Sequence, residues 1–192
     1  MLMNCYDTNS RICLSQMLIA EKTNEIIVVP TMLENIAIKD CVITADAVNC
    51  QWSFVEKMHG SGADFCWALK CNQDKASNEV FRLFVTTHLD QIQEYVADCE
   101  LNHDRIEERT VSLIGGHLLS DPIRRKWKGF ENSCVVRVRA MRTFKTTGTK
   151  TADDWYYICL LLAEEHAAKR IGEVVRSHWA IEIDCAGRSR FI

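Results

Sequence analysis

Three ionisable side chains lie at or near the ends of predicted strands or helices, where they could bind a metal ion or a phosphate group. Asp46 follows the apolar, β-branched run at residues 41–45, and a carboxylate at the carboxyl end of a buried strand can hold a divalent metal. Glu182 lies near the end of the last predicted helix, where it can supply a second carboxylate. Lys70 ends the predicted strand at residues 64–69. A lysine beside a carboxylate–metal site can bind a phosphate group.

Each of these residues also has an ordinary structural explanation. Asp46 can serve as the N-cap of the helix that follows it. Glu182 can be a solvated residue at a helix end, and Lys70 can be a surface charge. Position along the chain does not decide between the two explanations.

Positive charge is concentrated in one stretch of this chain of 192 residues, whose net charge is −3. Residues 121–150 carry a net charge of +7, while residues 1–120 carry −8 and residues 151–192 carry −2. Such a segment can attract a DNA backbone, although a solvated pair of strands would show the same charges. The candidate DNA contacts are Arg124, Arg125, Lys126 and Lys128 in a predicted loop, and Arg137 and Arg139 on one face of a predicted strand.

The overall composition is that of an ordinary folded protein, with 47% hydrophobic and 26% charged residues. It excludes a disordered tail, a collagen-like fibre and a small disulfide scaffold. The ten cysteines include no C-x-x-C pair, and several, such as Cys41 and Cys159, lie in apolar runs. We therefore expect small buried side chains in a reducing cytoplasm. No apolar run approaches the length of a membrane helix, so no membrane partner is expected.

The order of predicted elements indicates one mixed α/β domain spanning residues 1–192, with an antiparallel, β-rich insertion at about 103–160. A turn at residues 7–10 precedes a strand at 12–19, and the region from 41 to 69 has the strand–helix–strand order of a parallel βαβ unit. Strands are predicted at 41–45, 64–69, 105–114, 134–144 and 155–160, and helices at 30–36, 50–58, 77–99 and 163–181.

Four sequence blocks along the chain share residue types and spacing with a known family. They are E-K-T-N-E-I at 21–26 followed by Pro30, V-I-T-A-D-A-V-N-C-Q at 42–51, A-D-F with A-L-K-C-N-Q at 63–65 and 68–73, and V-R-S-H-W-A-I-E at 175–182. A fifth, weaker block is H-D-R-I-E-E-R at residues 103–109. In this order the blocks resemble those of the H-repeat-associated transposases, which are insertion-sequence enzymes of the DDE type.

This resemblance implies an RNase H-like fold in which three acidic residues surround two Mg²⁺ ions. The implied activity is phosphoryl transfer on DNA, in which one metal activates the attacking oxygen and the other stabilises the leaving oxygen. Asp46 matches the second acidic position of the family and Glu182 matches the third. We expect their carboxylates to lie within about 12 Å of each other, because paired metals are only ~4 Å apart.

The chain also departs from the family pattern. The family's first acid lies in a strand with an Asp-Gly-Lys motif, which this sequence lacks, since Asp7 matches no such motif. Asn49 and Cys71 replace glycines, and residues 183–192 differ from the family's L-H-W stretch. We therefore expect a truncated, catalytically impaired transposase with a missing first strand and an unpaired sheet edge. The alternative is a non-catalytic DNA-binding or interaction module on the same scaffold, and the oligomeric state stays open.

Overall fold

The fold is described from a computed structural model, and Glu182 and Lys126 are described by their backbone. The described residues are 2–19, 25–45, 58, 60–70, 74–102, 104–126, 133–161, 164, 166–184 and 189–191.

Strands and helices alternate in the first half of the described chain, and long strands dominate the second. The strands are β1 (Leu2–Asp7), β2 (Ile12–Leu18), β3 (Val42–Ala45), β4 (Asp64–Leu69), β5 (Gln93–Val96), β6 (Glu100–Asn102), β7 (Arg105–Gly115), β8 (Cys134–Phe144), β9 (Lys150–Cys159) and β10 (Ser189–Phe191). The helices are α1 (Glu25–Leu33), α2 (Asp74–Thr86), α3 (Asp121–Lys126) and α4 (Ala167–Asp184). Among these helices, none combines the length and apolar composition needed to cross a bilayer.

A seven-stranded mixed sheet organises most of the described residues. Its order is β3-β4-β9-β8-β7-β5, and β6 pairs with β7. The β3–β4 pair is parallel, as the βαβ pattern predicted, and the other pairs are antiparallel. This mixed sheet with flanking helices is consistent with the RNase H-like fold that the resemblance implied.

Helices cover both faces of the sheet and create two hydrophobic clusters. On one face, α1 and α2 pack over Phe65, Trp67 and Ile158, all of them buried. On the other face, α4 packs Ile171 and Val175 against the middle strands. Burial on both faces explains why β4 has a nearly continuous apolar sequence.

A smaller sheet lies beside the first and has the order β10-β1-β2. The turn at Asp7 joins β1 to β2 as predicted, and the Asp7 carboxylate accepts a hydrogen bond of 3.0 Å from the backbone N–H of Asn9. A groove of about 620 Å³ separates β1 from β3 and reaches α4. Within the described chain, β3 therefore ends the larger sheet. An unpaired sheet edge was expected, and β3 forms one among the described residues.

Several element boundaries differ from the sequence predictions. The last helix runs from Ala167 to Asp184 rather than over 163–181, and β9 begins at Lys150 rather than at 155. The first helix begins at Glu25 rather than Pro30, which lies inside it. Burial of Val29 and Met32 in the core favours the helix despite the hydrogen bond that proline removes. The helix predicted at 77–99 ends at Thr86, because Gln93–Val96 pairs with β7. The helix predicted at 50–58 lies mostly outside the described residues.

Two further predictions changed in detail. Arg124 and Arg125 lie on helix α3 rather than in a loop. Cys41 is exposed, because it precedes the first paired residue of β3, whereas Cys159 is buried as expected. The division into a core and an insertion at about 103–160 stays a prediction.

Candidate active site

The two candidate carboxylates belong to segments that meet at one edge of the large sheet. Asp46 lies outside the described residues, and it directly follows Ala45, the last residue of β3. Glu182 lies in the last turn of α4, which packs against β3. The distance between the two side chains is therefore not part of the description, and their approach stays a prediction.

A hydrogen bond joins these two segments just before the candidate residues. The Oγ1 atom of Thr44, in β3, lies 3.0 Å from Nδ1 of His178, in α4. Both side chains are half-buried. Thr44 precedes Asp46 by two residues, and His178 precedes Glu182 by four, or about one helical turn. The bond thus connects two of the sequence blocks that carried the resemblance.

Helix α4 runs in the same direction as β3. Near the start of the helix, Arg170 lines a cavity of about 340 Å³ together with Asp64. Asp64 is the register partner of Val42, the first residue of β3. Later in the helix, His178 contacts Thr44, two residues further along the strand. Both elements therefore end toward the carboxyl edge of the parallel strand pair.

Asp64 marks the opposite, amino-terminal edge of the sheet. Burial raises the pKa of Asp64, the positive charge of Arg170 lowers it in part, and Asp40 raises it again, so the net shift is upward. This pair helps to locate the start of α4 and takes no part in the candidate site.

Lys70 follows β4 at the same edge as the end of β3. Ala45 is the register partner of Trp67, so β4 continues for two residues beyond that level before Lys70. The Lys70 side chain is exposed. An exposed cation at this edge is suitably placed to meet a phosphate group, and the role assigned from the sequence stays a prediction.

The first basic cluster lies on helix α3. The Arg124 guanidinium is ion-paired with Asp121, and Nη2 of Arg125 lies 3.8 Å from the same carboxylate. The Arg125 side chain is 83% exposed, which leaves its guanidinium accessible to a DNA backbone. Lys126 ends the helix, and Lys128 lies outside the described residues.

The second basic pair lies on β8, where the predicted alternation is confirmed. Val136 and Val138 are buried on the α4 face, while Arg137 and Arg139 point to the other face. Two hydrogen bonds of 2.8 and 2.7 Å join Arg139 to Asp154. The hydrogen bond from Arg139 lowers the pKa of Asp154, and burial offsets part of this effect.

Arg137 also has protein partners. It donates a hydrogen bond of 3.1 Å to Oγ of Ser112, and its Cζ atom lies 5.2 Å from the centroid of the Phe84 ring. Its Nη2 atom is 3.8 Å from the carboxylate of Glu94. The sequence reasoning considered only solvent or phosphate for the two strand arginines, because it could not see which residues lie opposite them in neighbouring strands.

No preformed metal cluster occurs among the described residues: no group of three or more His, Cys, Asp or Glu side chains there could hold an ion. The carboxylates of Asp46 and Glu182 lie outside the side chains that the structure describes. Their oxygen atoms are the type of ligand that Mg²⁺ prefers, so the chemistry of the two donors fits the implied metal.

A comparison with protein families agrees with the motif blocks. Residues 1–185 match the family described as "Transposase DDE domain". This chain belongs to the DDE transposase family. Members of this family generally use divalent metal ions.

The chain is also similar to individual curated proteins. It is 25% identical to the "H repeat-associated putative transposase YhhI" of Escherichia coli strain K12, over 94% of this chain and 47% of that protein. It is 25% identical to the "Putative transposase YncI" of Escherichia coli O157:H7, over 94% of this chain and 46% of that protein. An "Uncharacterized protein in dhlA 3'region" of Xanthobacter autotrophicus is 31% identical over 57% of this chain.

The chain spans about half the length of the first two relatives. No solved structure matches it.

Sequence reasoning found the blocks that contain Thr44 and His178 but missed the hydrogen bond between these two residues. The sequence hinted at this contact only through the residue types, because one block contains a hydroxyl that can hydrogen-bond to the imidazole of the other.

Proposed function

We propose that this chain forms part of the catalytic core of a DDE transposase, in which Asp46 and Glu182 bind Mg²⁺ for phosphoryl transfer on DNA. The observation that carries the proposal is the Thr44–His178 hydrogen bond. It supports the approach of two segments that are 134 residues apart in sequence.

Because β3 and α4 run in the same direction, residues that follow the Thr44–His178 contact advance toward the same edge of the sheet. A strand advances about 3.3 Å per residue and a helix about 1.5 Å. If the strand continued past Ala45 at that rate, Asp46 would follow the Thr44–His178 contact by roughly 7 Å, and Glu182 would follow it by about 6 Å along the helix, in the same direction. A pair of carboxylates placed in this way would be close enough to share a metal or its bound waters.

In the proposed site, the charge of each residue determines its role. When bound, Mg²⁺ stabilises negative charge on the oxygens of the reacting phosphate. Asp46 and Glu182 supply oxygen ligands, and His178 holds the end of α4 against β3. Lys70, exposed at the same edge, would contact a phosphate of the DNA.

We further propose that the basic segment at residues 121–150 positions duplex DNA without reading its sequence. Arg124, Arg125, Lys126 and Lys128 make the main contacts. Arg137 and Arg139 can add to these only if a phosphate displaces Glu94 and Asp154. DNA as the partner also implies a cytoplasmic location.

Cleavage by this chain alone should be slow. Only two acids match the family's three positions, and the carboxylate of Asp7 accepts hydrogen bonds from Asn9 and Ser10. Loss of one metal ligand is expected to reduce two-metal catalysis by orders of magnitude. DNA binding without efficient cleavage is therefore the expected behaviour, and it agrees with the alternative of a non-catalytic DNA-binding module.

A metal-binding measurement distinguishes a metal-dependent catalytic core from a non-catalytic DNA-binding module. Mn²⁺ can replace Mg²⁺ as an electron paramagnetic resonance probe, and its affinity is measured for the unmodified chain and for Asp46→Asn with Glu182→Gln. We expect the double variant to bind at least about tenfold more weakly, because both proposed carboxylate ligands are lost. The control is Glu173→Gln, which neutralises an exposed carboxylate on the same helix.

Equal Mn²⁺ affinity in the double variant and the control would refute the proposed metal site. If the chain still bound duplex DNA under those conditions, the non-catalytic module would be the better description. Nicking of supercoiled plasmid, measured in parallel, shows whether any bound metal supports cleavage.

A further inference from the structure

A buried carboxylate lies in β7, which is four strands away from β3 in the order of the large sheet. The Glu107 side chain, in β7, is 3% exposed. Three guanidinium groups surround it: those of Arg105 at 3.5 Å, Arg142 at 3.2 Å, and Arg109, which is both ion-paired and hydrogen-bonded to it. A buried charge is stable only when it is paired and hydrogen-bonded, so these partners account for its presence.

The ion pairs continue from this carboxylate to helix α4. Arg109 also pairs with Glu100, with 3.0 Å between Nη1 and Oε2. Glu100 in turn pairs with Arg176 of α4, with 2.6 Å between Oε1 and Nη2. Burial alone would raise the pKa of Glu100, but the hydrogen bonds and charges of Arg109 and Arg176 outweigh it, so the net shift is downward.

Two tryptophan rings make a second connection between the same elements. The Cζ atom of Arg109 lies 5.9 Å from the ring centroid of Trp179, in α4. The Cζ atom of Arg142 lies 5.7 Å from the ring of Trp155, in β9. The two tryptophans contact each other edge to face, with 5.0 Å between their centroids. Both rings therefore lie against guanidiniums that Glu107 holds.

We propose that Glu107 is a positioning residue that holds the final turns of α4 through Arg109. The network reaches α4 at Arg176 and Trp179, six and three residues before Glu182. At 3.6 residues per turn, Arg176 and His178 lie about 160° apart around the helix, so these two contacts hold the end of α4 from different sides. This inference rests on the proposed function, because Glu182 matters only as a metal ligand.

The charges explain why one carboxylate has this effect. With Glu107 neutralised, three guanidiniums would lose their shared partner. Arg109 would keep only Glu100, and Arg142 would keep Asp153, to which it is also ion-paired. Mutual repulsion would then move the guanidiniums apart and away from the tryptophan rings.

Glu107→Gln tests the proposal, with Glu108→Gln as the matched control. Glu108 is the next residue of β7 and is exposed on the opposite face. The first measurement is the near-ultraviolet circular dichroism of the Trp155–Trp179 pair, identified by its loss in Trp179→Phe. The second is Mn²⁺ affinity, recorded at a temperature at which every variant is folded.

We expect Glu107→Gln to lose most of the tryptophan-pair signal and to weaken Mn²⁺ binding roughly tenfold, the usual effect of removing a group that orients metal ligands. Glu108→Gln should change neither. If Glu107→Gln lowers only the thermal midpoint and leaves both measurements unchanged, the residue is merely stabilising and the proposal is wrong.

A second variant tests the same proposal if Glu107→Gln does not fold. Arg109→Met retains the apolar stem of the side chain and leaves Glu107 paired with Arg105 and Arg142. It should reproduce both effects, and failure of both variants to fold would show a requirement for folding instead of positioning. If the unmodified chain binds no Mn²⁺, the proposed function fails, and the tryptophan signal alone decides the role of Glu107.

Discussion

At the scale of single residues, the hydroxyl of Thr44 has a local role that can be measured. Valine has the same shape but cannot form the 3.0 Å hydrogen bond to His178. We expect Thr44→Val to lower the free energy of unfolding by about 1 kcal/mol, the usual contribution of one such bond. It should also weaken Mn²⁺ binding, because the end of α4 loses one attachment to β3.

Urea unfolding measures the stability change for Thr44→Val. The control is Thr86→Val, which removes an exposed hydrogen bond from Oγ1 of Thr86 to the carbonyl of Arg82. If Thr44→Val lost stability but bound Mn²⁺ as well as the control does, the contact would support the fold without orienting the site.

A second residue-scale prediction concerns acid stability. Because Arg139 lowers the pKa of Asp154 in the folded protein, the ionised carboxylate stabilises the fold. This stabilisation is complete above the unfolded pKa of about 3.9 and disappears as the pH falls through the lower folded value. We expect the unmodified chain to lose more stability than Asp154→Asn between pH 7 and pH 3.

Denaturant unfolding at the two pH values measures this difference. It should stay within about 1 kcal/mol, because the Arg139–Asp154 pair lies near the surface. Identical pH dependence in the two proteins would mean that Asp154 is equally acidic in the folded and unfolded chains.

At the scale of elements, α3 depends on a contact from α2. The Glu79 carboxylate accepts hydrogen bonds from the backbone N–H and the Oγ–H of Ser120, the residue before α3. A helix of six residues is unstable by itself. Glu79 and the buried side chains of Leu119 and Ile123 therefore hold the basic helix in place.

We expect Glu79→Ala to loosen α3 and to weaken binding of duplex DNA, while the core stays folded. Hydrogen exchange at residues 119–126 should become at least about tenfold faster, since a hydrogen bond of a charged group contributes about 1.5–3 kcal/mol. Asn78→Ala changes the preceding, exposed residue and serves as the control. Unchanged exchange in Glu79→Ala would show that packing alone holds α3.

At the scale of the whole molecule, the open edges of the two sheets predict association. Strand β2 ends the smaller sheet and exposes Ile12, Leu14 and Leu18, with Leu18 at 76% exposure. Strand β3 ends the larger sheet within the described chain. Natural proteins protect such edges with charges, because an open apolar edge can pair with another chain.

We expect the unmodified chain to self-associate and Leu14→Lys to reduce this, since a lysine on an edge strand opposes pairing. Light scattering during size-exclusion chromatography measures the change. Thr8→Lys adds the same charge in the exposed turn and provides the control. A monodisperse monomer from the unmodified chain would contradict the prediction.

The amino-acid sequence determined the elements whose patterns are local. The apolar run before Lys70 and the alternation around Val136 predicted β4 and β8 with their observed bounds. The motif blocks identified the family, because residue types at fixed spacing survive in the sequence alone. These features depend on neighbours along the chain, so the sequence contains enough information to find them.

Only the tertiary structure decided which distant residues meet. The sequence of Gln93–Val96 predicted a helix, but this segment forms a strand because its backbone pairs with that of β7. The pairing of Arg139 with Asp154 depends on the register of β8 and β9. The Thr44–His178 bond depends on α4 crossing β3, and no local pattern encodes contacts between residues so far apart in the chain.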